Sequence, residues 1–263
     1  MPSIQAPPQY LYKYYSDHNL DFPIGSYWED YKKRKEALVN PYLYCSLSAD
    51  FNDPFEFQNK ISPLRTKCEI LNFYKSNGFS DERLEQISRT LELGGRAAFE
   101  QLTNDLVQKI MFATQEKVRV CCFCKRYNSI LMWSHYAKKH QGYCLKFNTR
   151  KLGLNGALRK VTYRKKDKYP VISSIDVARG NMDEIQNRLL ALKHHGWKYE
   201  KEWRLLTHET AITYDRKAVE QILLGVKASH KLEVELKSYF PEAEFLRARL
   251  STDRFRLQFV SCS

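Results

Sequence analysis

The stretch with the clearest strand pattern is Trp197-Lys198-Tyr199-Glu200-Lys201-Glu202-Trp203-Arg204-Leu205-Leu206. In a β-strand, alternate side chains share a face. One face would therefore be apolar, interrupted only by Lys201, and would carry Trp203 and Leu205. The other face would present a charged row of Lys198, Glu200, Glu202 and Arg204, with neighbours about 7 Å apart at the rise of a strand. The stretch predicts a late strand with one apolar face and one charged face.

The charged row has two interpretations. Glu200 and Glu202 would repel one another, and the flanking Lys198 and Arg204 would oppose that repulsion. Such a row could orient a sugar hydroxyl and stabilise a positive transition state. It could equally be a charge ladder that pairs with a neighbouring strand. The sequence leaves both interpretations open.

Strand patterns also occur at both ends of the chain, and helical patterns lie between them. The strands are predicted at Leu11–Tyr15, Tyr42–Leu47, Val118–Phe123, Tyr143–Phe147, Val161–Tyr163, Ile222–Leu224 and Arg254–Val260. Helices are predicted at Leu131–His140, with Gly142 as a left-handed stop, at Ile175–His195 and at Ser229–Tyr239. Residues 60–116 predict a helical insertion. Because strands and helices do not alternate regularly, we expect a single α+β domain over residues 1–263, with a central mixed or antiparallel sheet.

The segment Phe51–Glu56 has the composition of a helix start. Asp53 suits the N-cap, Pro54 the first helical position and Glu56 a capping box. Asn52 has no capping role and could face a ligand.

The predicted helix Leu131–His140 is rich in rings. Trp133, Tyr136 and His140 would share one face, and His135 would lie on another. These side chains could grip a planar ligand, or Trp133 could be core and His135 a hydrogen-bonded surface residue. The cysteines lack paired Cys-x-x-Cys knuckles, so no metal site is expected.

The charge of the chain suggests an anionic partner. Among 263 residues, 43 Lys and Arg face 30 Asp and Glu, which gives a net charge of +13. RNA or DNA is the simplest such partner. Two basic runs are candidate contacts, although either could be a solvated helix face or loop: Lys32, Lys33, Arg34 and Lys35, then Arg164, Lys165, Lys166 and Lys168. Tyr163 and Tyr169 flank the second run and could stack on bases.

The beginning of the chain has no signal-peptide pattern, and no apolar run approaches the ~20 residues of a membrane span. We therefore expect a cytoplasmic protein with reduced thiols and no membrane partner.

A set of motifs resembles a widespread bacterial family classed as a domain of unknown function, over nearly the whole chain. The motifs are Leu11–Tyr14, Leu43–Ser46, Phe51–Glu56, Met132–Ala137 with His140 and Gly142, Cys144–Phe147, Trp197–Arg204 and Ile222–Gly225. The family name carries no activity.

The order of these elements also resembles ADP-ribosyltransferases, including DNA-modifying bacterial toxins. That resemblance implies an NAD cofactor, Glu202 as the catalytic residue and Glu200 as its helper. It implies further cofactor contacts from Tyr12, Lys13, Tyr14, Tyr44 and Ser46, to which Asn52, Trp133, His135, Tyr136 and Arg204 are added as candidates. The first strand departs from that pattern, because it has no Arg or His at the anchoring place.

Three functions are left open. The first is an ADP-ribosyltransferase-like toxin or phage-defence effector that modifies nucleic acid and has an antitoxin or other defence protein as partner. The second is a non-catalytic nucleic-acid-binding or sensing module. The third is a metal-dependent nuclease, if Asp53, Glu56, Glu200 and Glu202 converge.

Overall fold

A computed structural model describes residues 5–17, 35–47, 50–53, 55–56, 60–61, 66–76, 78–154, 157–165, 169, 171–172 and 190–262. Contacts between residues group the chain into two compact units. The first unit comprises Met1–Ser46, Arg119–Val161 and Gly196–Ser263, and the second comprises Leu47–Val118 and Thr162–His195.

The elements have the following bounds. The strands are β1 (Tyr10–Tyr15), β2 (Tyr42–Tyr44), β3 (Ser46–Leu47), β4 (Lys60–Ile61), β5 (Arg119–Cys124), β6 (Tyr143–Asn148), β7 (Leu158–Lys160), β8 (Thr162–Arg164), β9 (Val171–Ile172), β10 (Leu192–His194), β11 (Glu202–Thr207), β12 (Ala211–Thr213), β13 (Val219–Leu224), β14 (Glu244–Leu250) and β15 (Leu257–Ser261). The α-helices are α1 (Lys67–Ser76), α2 (Asp81–Lys117), α3 (Ile130–Tyr136) and α4 (His230–Tyr239). Two 3-10 helices span His195–Glu200 and Arg216–Ala218.

The first unit is built on a nine-stranded sheet in the order β15-β14-β13-β6-β1-β5-β11-β7, with β3 paired to β5. The pair β13–β14 is parallel, whereas β13–β6, β6–β1, β1–β5, β5–β11, β11–β7 and β14–β15 are antiparallel. The predicted α+β class with a mixed sheet is therefore confirmed.

One face of this sheet forms the main core. In β6 the alternate residues Tyr143, Leu145 and Phe147 are buried in it, as their period of two predicted. Helix α4 covers the same core with Leu232 and Leu236. Each such buried side chain contributes roughly 1.5–3 kcal/mol of hydrophobic stabilisation.

Helix α4 begins directly after its N-cap residue, Ser229. The Ser229 hydroxyl accepts a hydrogen bond from the Leu232 amide at 3.1 Å, which satisfies one of the free donors of the first turn. The buried residues Leu232 and Leu236 are four apart and lie on one helical face. Replacing Leu236 by Ala would remove about 2–5 kcal/mol.

The second unit contains the helices of the predicted insertion. Helix α2 is interrupted at Gly95, whose φ of 55° and ψ of −141° are not helical. The carboxylate of Glu56 lies 3.4 Å from Lys193 Nζ, and both side chains are buried.

Two predictions in this unit need correction. Asp53 accepts a hydrogen bond from the Phe55 amide at 2.9 Å, but residues 55–56 form a turn and not a helix. The helix predicted to end at His195 is a strand at Leu192–His194, because this segment pairs with Thr162–Arg164. Most of that predicted helix, residues 173–189, lies outside the described residues.

The stop after α3 differs from the prediction as well. The left-handed residues are Lys138, Lys139 and His140, with φ of 45°, 53° and 70°. Gly142 has a different role: a Cβ atom there would lie 2.0 Å from the Tyr15 carbonyl oxygen. The glycine is required by close packing and not by a left-handed backbone.

Among the described residues, no helix combines the length and apolar character needed to cross a membrane.

Candidate functional site

The backbone around the two glutamates differs from the predicted single strand. Residues His195–Glu200 form a 3-10 helix, and strand β11 begins only at Glu202. Lys201 joins them with a left-handed φ of 48°. A left-handed conformation costs an L-residue roughly 1–2 kcal/mol. The prediction of a strand from Trp197 was therefore wrong over its first five residues and correct from Glu202 onward.

Glu202 and Arg204 form a buried, bidentate ion pair. Arg204 Nε donates to Glu202 Oε1 at 2.8 Å, and a terminal guanidinium nitrogen donates to Oε2 at 3.0 Å. The two residues are 4% and 0% exposed. They share the sheet face that is opposite to the Trp203 side, as the alternation predicted. Planar, two-point pairing of this kind is among the strongest hydrogen-bonded contacts in proteins.

Glu200 is held by helix α3 and by strand β5. The Tyr136 hydroxyl donates to Glu200 Oε1 at 2.6 Å, and the Cys124 thiol donates to the Glu200 carbonyl oxygen at 2.7 Å. Glu200 is only 3% exposed. Ser129 caps the start of α3, the helix that carries Tyr136, by accepting a hydrogen bond from the Met132 amide. The Glu200 contacts and the Glu202–Arg204 pair are both buried, and we refer to them together as the buried network.

Tyrosines of β1 lie on the same face as this network. Tyr12 is opposite Cys124 in the β1–β5 pair, and Cys124 is opposite Glu202 in the β5–β11 pair. Burial raises the pKa of Tyr12 to about 12. Tyr14 packs edge-on against Trp133 with ring centres 5.2 Å apart. The network is therefore bordered by neutral aromatic side chains.

Lys13 does not lie with Tyr12 and Tyr14. Its ammonium is 5.7 Å from the centre of the Phe123 ring, on the core face, and donates to the Cys122 carbonyl oxygen at 3.2 Å. A hydrogen bond from Cys45, together with the charge of Lys13, lowers the pKa of Cys121. The prediction that Lys13 lines a cleft with its two tyrosine neighbours is wrong, because successive strand residues point to opposite faces.

Residues 132–205 match a family described as a protein of unknown function, DUF2971. The resemblance to a family of unknown function is thereby confirmed for the stretch from Met132 to Leu205. No curated protein matches this chain. No solved structure matches it either.

The DUF2971 match contains Tyr136, Glu200, Glu202 and Arg204. The partners that β5 and β1 supply to this network, Cys124 and Tyr12, lie outside the match, as do the motifs at Leu11–Tyr14, Leu43–Ser46, Phe51–Glu56 and Ile222–Gly225. The match therefore covers a shorter part of the chain than the resemblance implied.

The other candidate cofactor residues are dispersed. Tyr44 is exposed on β2, which pairs with β12, and Ser46 lies on β3. His135 is exposed on α3, with its ring 6.2 Å from that of Tyr199. Asn52 is exposed in the second unit. Trp133 is fully buried, and its indole nitrogen donates to the Tyr127 carbonyl oxygen at 2.6 Å.

The basic runs are described only in part. Lys35, at the start of the helical residues 35–39, and Arg164 and Lys165 in the second unit are all exposed. Lys32, Lys33, Arg34, Lys166 and Lys168 lie outside the described residues.

A cationic surface that the sequence analysis missed lies beside the buried network. Lys125 donates its backbone N–H to the Lys201 carbonyl oxygen at 3.1 Å, and Lys201 donates to the Lys198 carbonyl oxygen at 3.4 Å. Arg126 follows directly. Lys125, Arg126 and Lys198 are exposed, and Lys201 is partly exposed. We name these four residues the β5–β11 rim.

Three aromatic residues accompany the rim. Tyr127 is 37% exposed, and Trp197 and Tyr199 are partly exposed with ring centres 6.0 Å apart. In the sequence, a ring follows two cations in Lys125-Arg126-Tyr127, and two rings flank a cation in Trp197-Lys198-Tyr199. That pattern could have been noticed, but only the pairing of β5 with β11 brings the two segments together.

Within the part of the chain that the structure describes, no group of three or more His, Cys, Asp or Glu residues is placed to hold a metal ion. The metal-dependent nuclease therefore gains no support from the geometry.

Proposed function

We propose that this protein binds single-stranded RNA or DNA through the β5–β11 rim. The observation that carries the proposal is the backbone hydrogen bond from Lys125 to Lys201, which joins two segments, residues 125–127 and 197–201, that together hold four cations and three aromatic residues. In the described part of the chain, no carboxylate forms a salt bridge with any of the four cations. Cations track a phosphate backbone, and aromatic rings stack on bases, in sequence-tolerant single-strand binding.

The electrostatics favour a polyanion. The whole chain carries +13, so long-range attraction and the local rim act in the same direction. Each phosphate contact to a single strand contributes about −0.7 to the slope of log affinity against log salt. Four contacts give a slope of about −3.

The buried network has a structural role in this proposal. Glu200 is tied to Cys124 and Tyr136, and the next residue, Lys201, is tied to Lys125. These bonds fix the two segments that present the rim. A rim held in place before binding loses less conformational entropy when the ligand binds.

The test is fluorescence anisotropy with labelled 12-nucleotide RNA and DNA strands over a range of salt concentrations. The double variant Lys125→Gln/Lys198→Gln should bind more weakly and lower the salt slope by about 1.4. The matched control is Lys217→Gln/Lys231→Gln, which neutralises two exposed lysines elsewhere in the first unit. Equal losses in both double variants would contradict a localised site.

The ADP-ribosyltransferase is a second candidate because Glu200 and Glu202 are both buried on the tyrosine-bearing face. Two features weigh against it. Both carboxylate oxygens of Glu202 are engaged by Arg204, so Glu202 would have to leave that pair to accept a ribose hydroxyl. Lys13, a candidate NAD contact, lies on the other face. The geometry therefore favours binding over NAD cleavage.

The assay for this second candidate is nicotinamide release from NAD in the presence of RNA or DNA. Release that is abolished by Glu200→Gln, in a variant as stable as wild type, but retained by Glu209→Gln would establish it. If wild-type protein binds the strands but releases no nicotinamide, only the binding function is retained.

A further inference from the structure

The loop between β14 and β15 displays a phenylalanine at its tip. The Ser251 amide donates to the Arg256 carbonyl oxygen at 3.1 Å, which closes the loop. The Arg256 amide donates to the Arg254 carbonyl oxygen at 2.8 Å, which makes a three-residue γ-turn centred on Phe255. The turn points the ring outward, and Phe255 is 103% exposed.

Charge distinguishes this tip from an ordinary exposed apolar residue, which by itself needs no explanation. Arg254 and Arg256 flank the ring in sequence, and Arg249 is exposed near the end of β14. Asp253 is the acidic residue of the loop and lies 3.5 Å from Arg254, with both side chains mostly exposed. The tip therefore presents one ring between two cations.

The hairpin is packed against the loop that carries part of the β5–β11 rim. The Phe259 ring of β15 lies 5.1 Å from the Tyr127 ring and 6.0 Å from the Trp133 ring. Tyr127 directly follows Arg126 of the rim. Tip and rim are thus parts of one compact unit, connected through the ring contact between Phe259 and Tyr127.

We infer that Phe255 stacks on an unpaired base of a bound single strand while Arg254 and Arg256 contact the flanking phosphates. The inference deepens the proposed nucleic-acid function and rests on it. Guanidinium groups pair with phosphate at two points, and a ring stacks on any base, so the trio matches a repeating base-and-phosphate ligand. An anionic membrane would attract the arginines too, but it offers no planar group for a single ring.

The experiment measures binding of 12-nucleotide strands that contain 2-aminopurine, whose fluorescence reports stacking. Phe255→Ala should weaken binding by about 5- to 150-fold, the range for loss of one stacked base, and should remove the fluorescence change. Phe255→Trp should retain both signals. Leu250→Ala removes another exposed apolar side chain of the same hairpin, which is 70% exposed, and should bind like wild type.

The outcomes distinguish failure of the Phe255 stacking inference from failure of the proposed strand binding by the rim. Wild-type protein that does not bind the strands overturns both. Wild-type binding that Phe255→Ala leaves unchanged overturns the stacking role and leaves the rim proposal standing. Flotation with phosphatidylglycerol vesicles that requires Phe255, without an effect on strand binding, assigns the tip to a membrane surface and overturns the inference.

Discussion

Replacing Glu202 by Gln tests the energetics of the buried network most directly. The substitution preserves size but removes the negative charge from a side chain that is 4% exposed, beside an Arg204 that is fully buried. It also turns one oxygen that accepts from the guanidinium into an amide donor. Arg204 is then a buried cation that has lost its bidentate carboxylate partner.

The magnitude follows from burial and distance. Unit charges about 4 Å apart attract by roughly 4 kcal/mol at an effective dielectric constant of about 20. Breaking a buried ion pair by removal of one partner typically costs about 3–5 kcal/mol. We therefore expect Glu202→Gln to lower the free energy of unfolding by about 3–5 kcal/mol, a large share of the roughly 5–15 kcal/mol typical of a folded protein.

Urea denaturation followed by tryptophan fluorescence measures this loss. With a slope of about 3 kcal/mol per M, the midpoint should fall by about 1–1.7 M. The double variant Glu202→Gln/Arg204→Met removes both charges and should recover most of the stability, because an apolar replacement of a buried pair is often neutral. Glu209→Gln, at an exposed site, should change stability by at most about 0.5 kcal/mol.

A Glu202→Gln protein as stable as the Glu209→Gln control would refute the reasoning. The same measurement is also a control for the functional assays. A Glu202 variant that is partly unfolded would lose nicotinamide release or strand binding even when this carboxylate has no catalytic or binding role.

Three further predictions concern other features of the first unit. Hydrogen bonds from Arg247 and Lys237 lower the pKa of Glu233 from 4.5 to about 2, so its stabilisation is present above pH 4.5 and is lost as pH falls towards 2. The difference in urea midpoint between wild type and Glu233→Gln should therefore shrink across that window. Gly142→Ala should lower stability by about 1–3 kcal/mol in urea denaturation, because its Cβ would meet a backbone oxygen at 2.0 Å. Lys201→Gly should raise the thermal midpoint relative to Lys201→Ala, since glycine adopts the left-handed backbone freely, while both weaken strand binding by loss of the same charge.

Much of the sheet could be predicted from local pattern. The period of two in Tyr143–Phe147 places Tyr143, Leu145 and Phe147 together on the core face, and the same rule places Glu202 and Arg204 on one face. The same rule also places Lys13 on the face opposite to Tyr12 and Tyr14. The resemblance to ADP-ribosyltransferases instead grouped all three residues as cofactor contacts.

The rest depends on long-range pairing and on unusual backbone conformations. No side-chain pattern reveals that Lys201, a residue without glycine's freedom, adopts a left-handed φ and ends a 3-10 helix at Glu200. The rim exists only because β5 and β11 are neighbours, which the spacing of two distant segments does not specify. The left-handed run at Lys138–His140 is likewise next to a long-range contact, because the Lys227 amide donates to the His140 carbonyl oxygen at 2.9 Å.

The sheet order has a practical consequence for work on the DUF2971 segment. Strand β6 lies between β1 and β13, and β11 is paired to β5; all three partners fall outside residues 132–205. A fragment cut to that match would expose the hydrogen-bonding edges of two mostly apolar strands, which invite self-association. Expression trials should therefore include β1, β5 and β13 with the matched segment, because its strands pair with strands that precede and follow it in the chain.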